Sequence, residues 1–484
     1  MASEKPEARE TERVQRATAE AGNSKVTRRT FLKVSAGAAG ALALSGVPRI
    51  AFAQRRKSVR IIAFAQGFAW PELFGSKGTE KTDALRGLEK EVGADIAIEW
   101  GDESAVRQKV LADLISRTGR YDVILLGSDG AVQTYGFGGL LEPLDRWMTR
   151  IPSPYVSLKD VYPKYLDANR IEGVLYGLPY YSFGPGVMYR RDIFRKYGLT
   201  PPRTTDQFES ILKTLKENFK KEKIDMFPVT MRGAPGEEPS LDLLGFVYAY
   251  AGYAAWFEGG PTTAEAIRRK KAKPIFTGDF RKGFTAFVET LKNYGSPAAS
   301  THTWVDMLTL WEQGKAAVMI PSAINAYPAR LGSKIEAVRK ESRLASSPVG
   351  PSGKRIQSFW TFSLGLNRFS KKKEEAWHVL AYLTGKKAME EFSSRTKFPW
   401  VTMKSVLYTK PLIDTWGREE LAVWEDAIVQ SDPYYFPYFP ELNEFMDKIG
   451  TAASRAIAGA KVADVLNDLQ TWGYERMYRG GYYR

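Results

Sequence analysis

The chain contains no cysteine and only two histidines among its 484 residues. Disulfides, thiolate nucleophiles, iron–sulfur clusters and cysteine zinc sites are therefore excluded, and most imidazole chemistry with them. No run of 18 uninterrupted apolar residues occurs, so the sequence offers no ordinary membrane-spanning helix. Nor does it carry a full glycine-rich phosphate-binding fingerprint; Gly184 and Gly186 make a G-x-G that lacks the third glycine. What is present is 44% hydrophobic and 26% charged residues with a formal net charge of +15, the balance of a basic globular protein. Such a length fits two domains rather than one core.

Residues 1–27 are polar, without apolar periodicity. Arg28-Arg29-Thr30-Phe31-Leu32-Lys33 follows, then a short small-residue apolar run from Val34 to Val47, then Ala51-Phe52-Ala53. Paired arginines, a mildly apolar stretch and an A-x-A site in register resemble a twin-arginine export signal, with cleavage expected after Ala53 and a periplasmic destination. This leader holds nine Lys/Arg and five Glu, so the remainder is basic as well. Excess charge of this kind is either a solvated surface or an attraction for anions. The runs Arg268-Arg269-Lys270-Lys271 and Lys371-Lys372-Lys373 read as solvated helix faces, and export argues against a nucleic-acid partner.

Val59–Ala65, Ala94–Trp100 and Tyr121–Leu126 read as strands, and Lys81–Val92 and Glu103–Arg117 as helices between them. The second helix carries Val106, Val110, Leu111, Leu114 and Ile115 at helical spacing. This β-α-β-α-β order predicts a parallel sheet flanked by helices, with ligands expected beyond the carboxyl ends of its strands. Further on, Ile193–Tyr197, Thr205–Phe219, Leu241–Phe257 and Lys373–Leu383 read as helices, Met226–Met231, Ala316–Ile320 and Phe362–Leu366 as strands, and Pro440–Tyr478 as mostly helical.

Four stretches then carry a family likeness. They are Gly139–Asp145; Gly173–Phe208, with GVLYGLPYYSFGPGVMYRRDIF; Trp311–Ile324, WEQGKAAVMIPSAI; and Ala345–Gly385, with SFWTFSLGLNRFSKKKEEAWHVLAYLTG. In order and spacing they resemble the extracellular solute-binding proteins of ABC importers, the group that includes maltose- and other sugar-binding proteins. Two departures stand out: Thr204-Thr205-Asp206-Gln207 replaces the family's Thr-Trp-Asp-Glu, and only Trp360 remains of its Gly-Gly-Trp. The resemblance implies an α/β, two-lobed periplasmic-binding-protein fold (type II-like), each lobe a mainly parallel sheet flanked by helices. It implies crossings near Tyr180, Pro351 and Lys397, with residues 54–180 plus 353–396 as one lobe and 181–352 plus 397–484 as the other. The lobes would close on the ligand as a hinge. It further implies a monomer with no cofactor and no catalytic group, whose partners are a small carbohydrate and the ABC permease subunits of the cytoplasmic membrane.

A sugar or polyol needs polar tips for its hydroxyls, because a buried unpaired hydroxyl costs about 1–3 kcal/mol, and flat rings for its C–H faces. Candidates for both lie at strand ends and crossings. Gln66 and Trp70 follow the first strand, with loop packing against Pro71 as the other reading of Trp70. Ser128 and Asp129 follow the third, where Asp129 accepts a hydroxyl or makes an Asp-Gly turn. Tyr180 and Tyr181 sit at the first crossing, one facing the cleft and one the core. Arg232, after the strand ending at Met231, either forks onto ligand oxygens or makes a surface ion pair. Trp256, at the end of a Tyr-rich helix, is a site residue or core. Ser322, Asn325 and Tyr327 lie where the family contacts ligand, and Trp360, Trp400 and Tyr438 complete the set. An anionic or peptide-like solute is the alternative ligand class. An exported two-carboxylate glycosidase, which needs no histidine, is the alternative activity.

Overall fold

A computed structural model describes residues 57–64, 82–101, 103–127, 130–236, 238–321 and 330–483. The leader lies outside the described residues, as do Gln66, Trp70, Ser128, Asp129, Ser322, Asn325 and Tyr327.

The β-branched runs near the start form β1 (Ser58–Phe64), β2 (Asp95–Gly101) and β3 (Val123–Leu126). β1 lies between the other two and pairs with both in parallel. The linking helices, Asp83–Val92 and Glu103–Ser116, are the expected pair. The first is capped by Thr82, whose hydroxyl accepts the Leu85 N–H at 3.2 Å. On the second, Val106, Val110 and Leu114 are buried, whereas Leu111 and Ile115 are 42% and 65% exposed. Its apolar arc is wider than the strip the sheet covers.

A two-stranded ribbon follows, β4 (Arg170–Ile171) with β5 (Val174–Leu175), and then β6 (Leu178–Phe183). Three residues later the chain enters a second sheet through β7 (Val187–Arg190). That sheet also holds β8 (Phe227–Thr230), β9 (Ala316–Met319) and β10 (Ser342–Ala345), in the order β10-β7-β9-β8. The chain then returns to the first sheet as β11 (Trp360–Leu366), completing the order β2-β1-β3-β11-β6.

The expectation of mainly parallel sheets holds where helices supply crossovers: across β2-β1-β3 and between β8 and β9. The strands next to the crossings, β6, β7, β10 and β11, run antiparallel to their neighbours. Parallel pairing needs a crossover of a dozen or more residues, and β7 and β10 enter and leave the sheet directly.

The expected helix 241–257 spans Glu238–Ala251 instead. Gly252, at φ 88°, takes the left-handed conformation that ends a helix, so Trp256 falls in the turn beyond it. This helix approaches its surroundings closely. A Cβ on Gly245 would lie 1.8 Å from the Gln357 carbonyl oxygen, so only glycine lets the helix rest on the segment that leads into β11. The C-terminal region is helical over Leu442–Ile457 and Val462–Arg479.

Candidate ligand-binding site

Arg232 stands two residues beyond β8, and Asp242 one turn into the helix Glu238–Ala251. Asp242 is a lone acid in the apolar run LDLLGFVYAYA. The two meet as a fork: Arg232 Nε and Nη2 donate to the Asp242 carboxylate oxygens at 2.7 and 2.6 Å, with the side chains 2% and 0% exposed. Of the two readings open for Arg232, the structure holds it in an ion pair, but a buried one. Asp242 also accepts the Ser358 hydroxyl at 3.1 Å.

The guanidinium lies 5.1 Å from the centre of the Trp360 ring, within cation–π range. Trp360 opens β11, and its alternation puts Phe362 on the same face; the rings stack 5.8 Å apart at 19°. Phe362 stacks in turn on Tyr181 of β6 at 4.5 Å and 22°. Tyr181 then meets Trp400 at 6.4 Å, and Trp400 meets Phe398 at 4.6 Å. The chain at Trp400 runs beside β6, where its carbonyl accepts the Ser182 N–H at 3.2 Å. Arg232, Trp360, Tyr181 and Trp400 thus form one continuous ladder joining the two sheets, with Phe362 as the rung that sequence reasoning missed. Strand alternation from Trp360 was the signal that could have found it. Tyr180 points the other way, with its ring 6.3 Å from Phe392, and burial pushes its phenol up.

Trp256 and Tyr438 lie apart from the ladder. Trp256 is fully buried, stacked on Phe436 and Phe445 and edge-on to Phe439. Tyr438 packs on Tyr434 and Phe436 and donates its hydroxyl to the Pro433 carbonyl at 2.6 Å. Its loop is tied to the Arg232 side. Tyr435 donates to the Leu241 carbonyl at 3.3 Å, and Tyr248 donates to Asp432 at 2.6 Å. Burial drives the Tyr435 and Tyr438 phenols up.

Several buried polar atoms on the first-sheet side have no hydrogen-bond partner among the described residues: Tyr165 Oη, Gln133 Oε1, Thr134 Oγ1 and Asn169 Oδ1. Sequence reasoning missed all four, since nothing local distinguishes them from solvated residues. Tyr165 lies 5.4 Å from Phe359, the residue before Trp360. Gln133 and Thr134 are on the helix Ala131–Phe137, just after β3. Across from its start stands Asn443, whose Oδ1 is likewise unsatisfied and would lie 2.7 Å from a Cβ on Gly130. The Tyr165 hydroxyl thus lies buried without a hydrogen-bond partner next to the residue that precedes the ladder, the kind of polar atom a hydroxylated guest can satisfy.

Of the two histidines, His302 is held below its usual range by burial, with Asp306 opposing the shift. Among the described residues no group of three or more His, Asp or Glu could hold a metal ion, and no helix is long and apolar enough to cross a membrane.

The family model for bacterial extracellular solute-binding proteins matches residues 69–390, two-thirds of the chain. The chain belongs to this family. Among its relatives, the mannitol-binding protein of Pseudomonas aeruginosa is 28% identical over 233 residues, 48% of this chain. The chain spans about half the length of that relative, 49%. The fold is that of a solute-binding protein of an ABC transporter from Agrobacterium vitis, solved with bound D-mannitol. The TM-score is 0.72 at 22% identity, over 88% of this chain and 99% of that one. A solute-binding protein from Agrobacterium radiobacter, solved with ribitol, matches at 0.72 and 21% over 87% and 98%. The two-lobed fold expected from the sequence is therefore present.

Proposed function

We propose that this solute-binding protein is the extracytoplasmic component of an ABC importer and that it holds a carbohydrate, most specifically a polyol, between its two sheets. The carrying observation is the ladder from Arg232 through Trp360 to Trp400, with the unpartnered Tyr165 hydroxyl against Phe359 next to it. Rings take the C–H faces of the guest and the polar atoms take its hydroxyls. Arg232 is already paired with Asp242, so its charge is spent inside the protein. That favours a neutral polyol or sugar over the uronate or peptide-like alternative. The relatives with mannitol and ribitol support the same class. No bond in the guest is broken: the role is capture and delivery to permease subunits by a monomer whose lobes, 54–180 plus 353–396 and 181–352 plus 397–484, close as a hinge.

Thermal melting against mannitol, ribitol, maltose, a uronate and an amino acid tests this. A true ligand at a hundredfold excess over its Kd stabilises by about 2.7 kcal/mol. Neutral polyols should raise the midpoint and leave the ligand chemically unchanged. A response to the uronate or amino acid alone, or recovery of a cleaved product, would overturn the reading. Periplasmic delivery is proposed to run through the twin-arginine leader cut after Ala53. Replacing Arg28 and Arg29 by Lys should leave the chain in the cytoplasm, and undiminished export would remove that part.

A further inference from the structure

A cavity of about 900 Å³ is lined by none of the ladder residues. It lies between β7 and β10 on one side and the helices Lys410–Trp416 and Arg418–Val429 on the other. Four guanidinium groups reach it, from Arg191, Arg330, Arg343 and Arg418.

Two of them are neutralised. Arg191 forks onto Glu341 at 2.8 and 3.2 Å. Arg330 pairs with Glu420 at 2.7 Å and lies 4.8 Å from the Trp416 ring. The other two are not: among the described residues, neither Arg343 nor Arg418 has a carboxylate within ion-pair distance. Arg343 uses Nη1 on the carbonyls of Lys340 and Ser342, at 2.8 and 2.7 Å. Its Nε–Nη2 edge is left as a fork, the geometry that takes two oxygens of one anion. Arg418 is exposed, 6.0 Å from the Tyr408 ring.

Of the remaining carboxylates on the wall, Asp414 is held by Lys410 at 2.7 Å, and Glu419 is exposed at the start of its helix. The field at Arg343 is positive in spite of them. Burial lowers its affinity for the proton first, and Arg191 and Arg330 lower it further, against the opposing pull of Glu420 and Glu341. A half-buried cation in a positive field is stabilised by any anion that reaches it.

We propose that this cavity is a second ligand site, which takes a small oxyanion, phosphate or carboxylate, on the free fork of Arg343 with Arg418 closing beside it. The site does not share a residue with the ladder, so its occupancy and polyol binding are separable.

The test is thermal melting and calorimetry of the full chain with sodium phosphate or citrate at low-millimolar concentration, against sodium chloride of matched ionic strength. At those concentrations general salting effects are small. The expected result is a saturable rise in midpoint above the chloride control. Arg343→Gln should weaken it at least about tenfold. Arg418→Gln, at an exposed position where folding is not at stake, should weaken it several-fold, and both variants should keep the wild-type response to polyols. Response to phosphate alone assigns a phosphate ligand, and response to citrate alone a carboxylate. No rise above chloride, or the same half-saturation in the wild type and both variants, would overturn the proposal.

Discussion

Asp242→Ala should destabilise the protein by about 3–5 kcal/mol, the cost of breaking a buried ion pair by removing one partner. Arg232 and Asp242 are 2% and 0% exposed, so water cannot replace the lost carboxylate. Ser358 also loses its hydrogen bond to the carboxylate. The urea midpoint measures this, at unchanged slope. A loss below about 1 kcal/mol, the scale of a surface pair, would mean that the fork is solvated. The paired replacement Arg232→Met with Asp242→Leu separates stability from binding. Replacing a buried ion pair by apolar side chains is often neutral, so the double variant should fold. It should still bind polyols more weakly, because the cation held 5.1 Å from the Trp360 ring is gone.

Trp360→Ala should weaken polyol binding by about 30-fold or more, equivalent to roughly 2 kcal/mol, the threshold of an anchoring aromatic. Trp360 is 5% exposed and stacked on Phe362, so the same change should also cost about 3–5 kcal/mol of stability. Affinity must therefore be read by calorimetry well below the midpoint. Trp360→Phe provides the check: it keeps a ring on Phe362, loses the indole N–H, and should retain both fold and most of the affinity. Affinity within twofold of wild type in the alanine variant would take Trp360 out of the site and leave it as core.

Much of the architecture could be read from local pattern. The first β-α-β-α-β unit follows from the alternation in Ile96, Ile98 and Trp100 and the helical spacing of Val106, Val110 and Leu114. These periodicities are properties of the backbone itself. Gly252 could also have been read as a helix stop, which would have placed Trp256 beyond the helix rather than in it. The family motifs singled out Trp360, Tyr180 and Tyr181, and the structure places both tyrosines within β6, with the chain leaving the first sheet only after Phe183. The motifs did not reveal that Tyr181 stacks inward on Phe362 while Tyr180 turns to Phe392.

The amino-acid order by itself determined the α/β class and most element positions, because these rest on contacts a few residues apart, and its motifs pointed to the two-lobed family by resemblance. Only the tertiary structure decided that β11 inserts between β3 and β6, and that Trp360 meets an arginine 128 positions earlier. It also decided that this arginine is paired with an acid hidden in an apolar helix. Strand partners and buried ion pairs are chosen by which surfaces exclude water together, and no local periodicity records that choice.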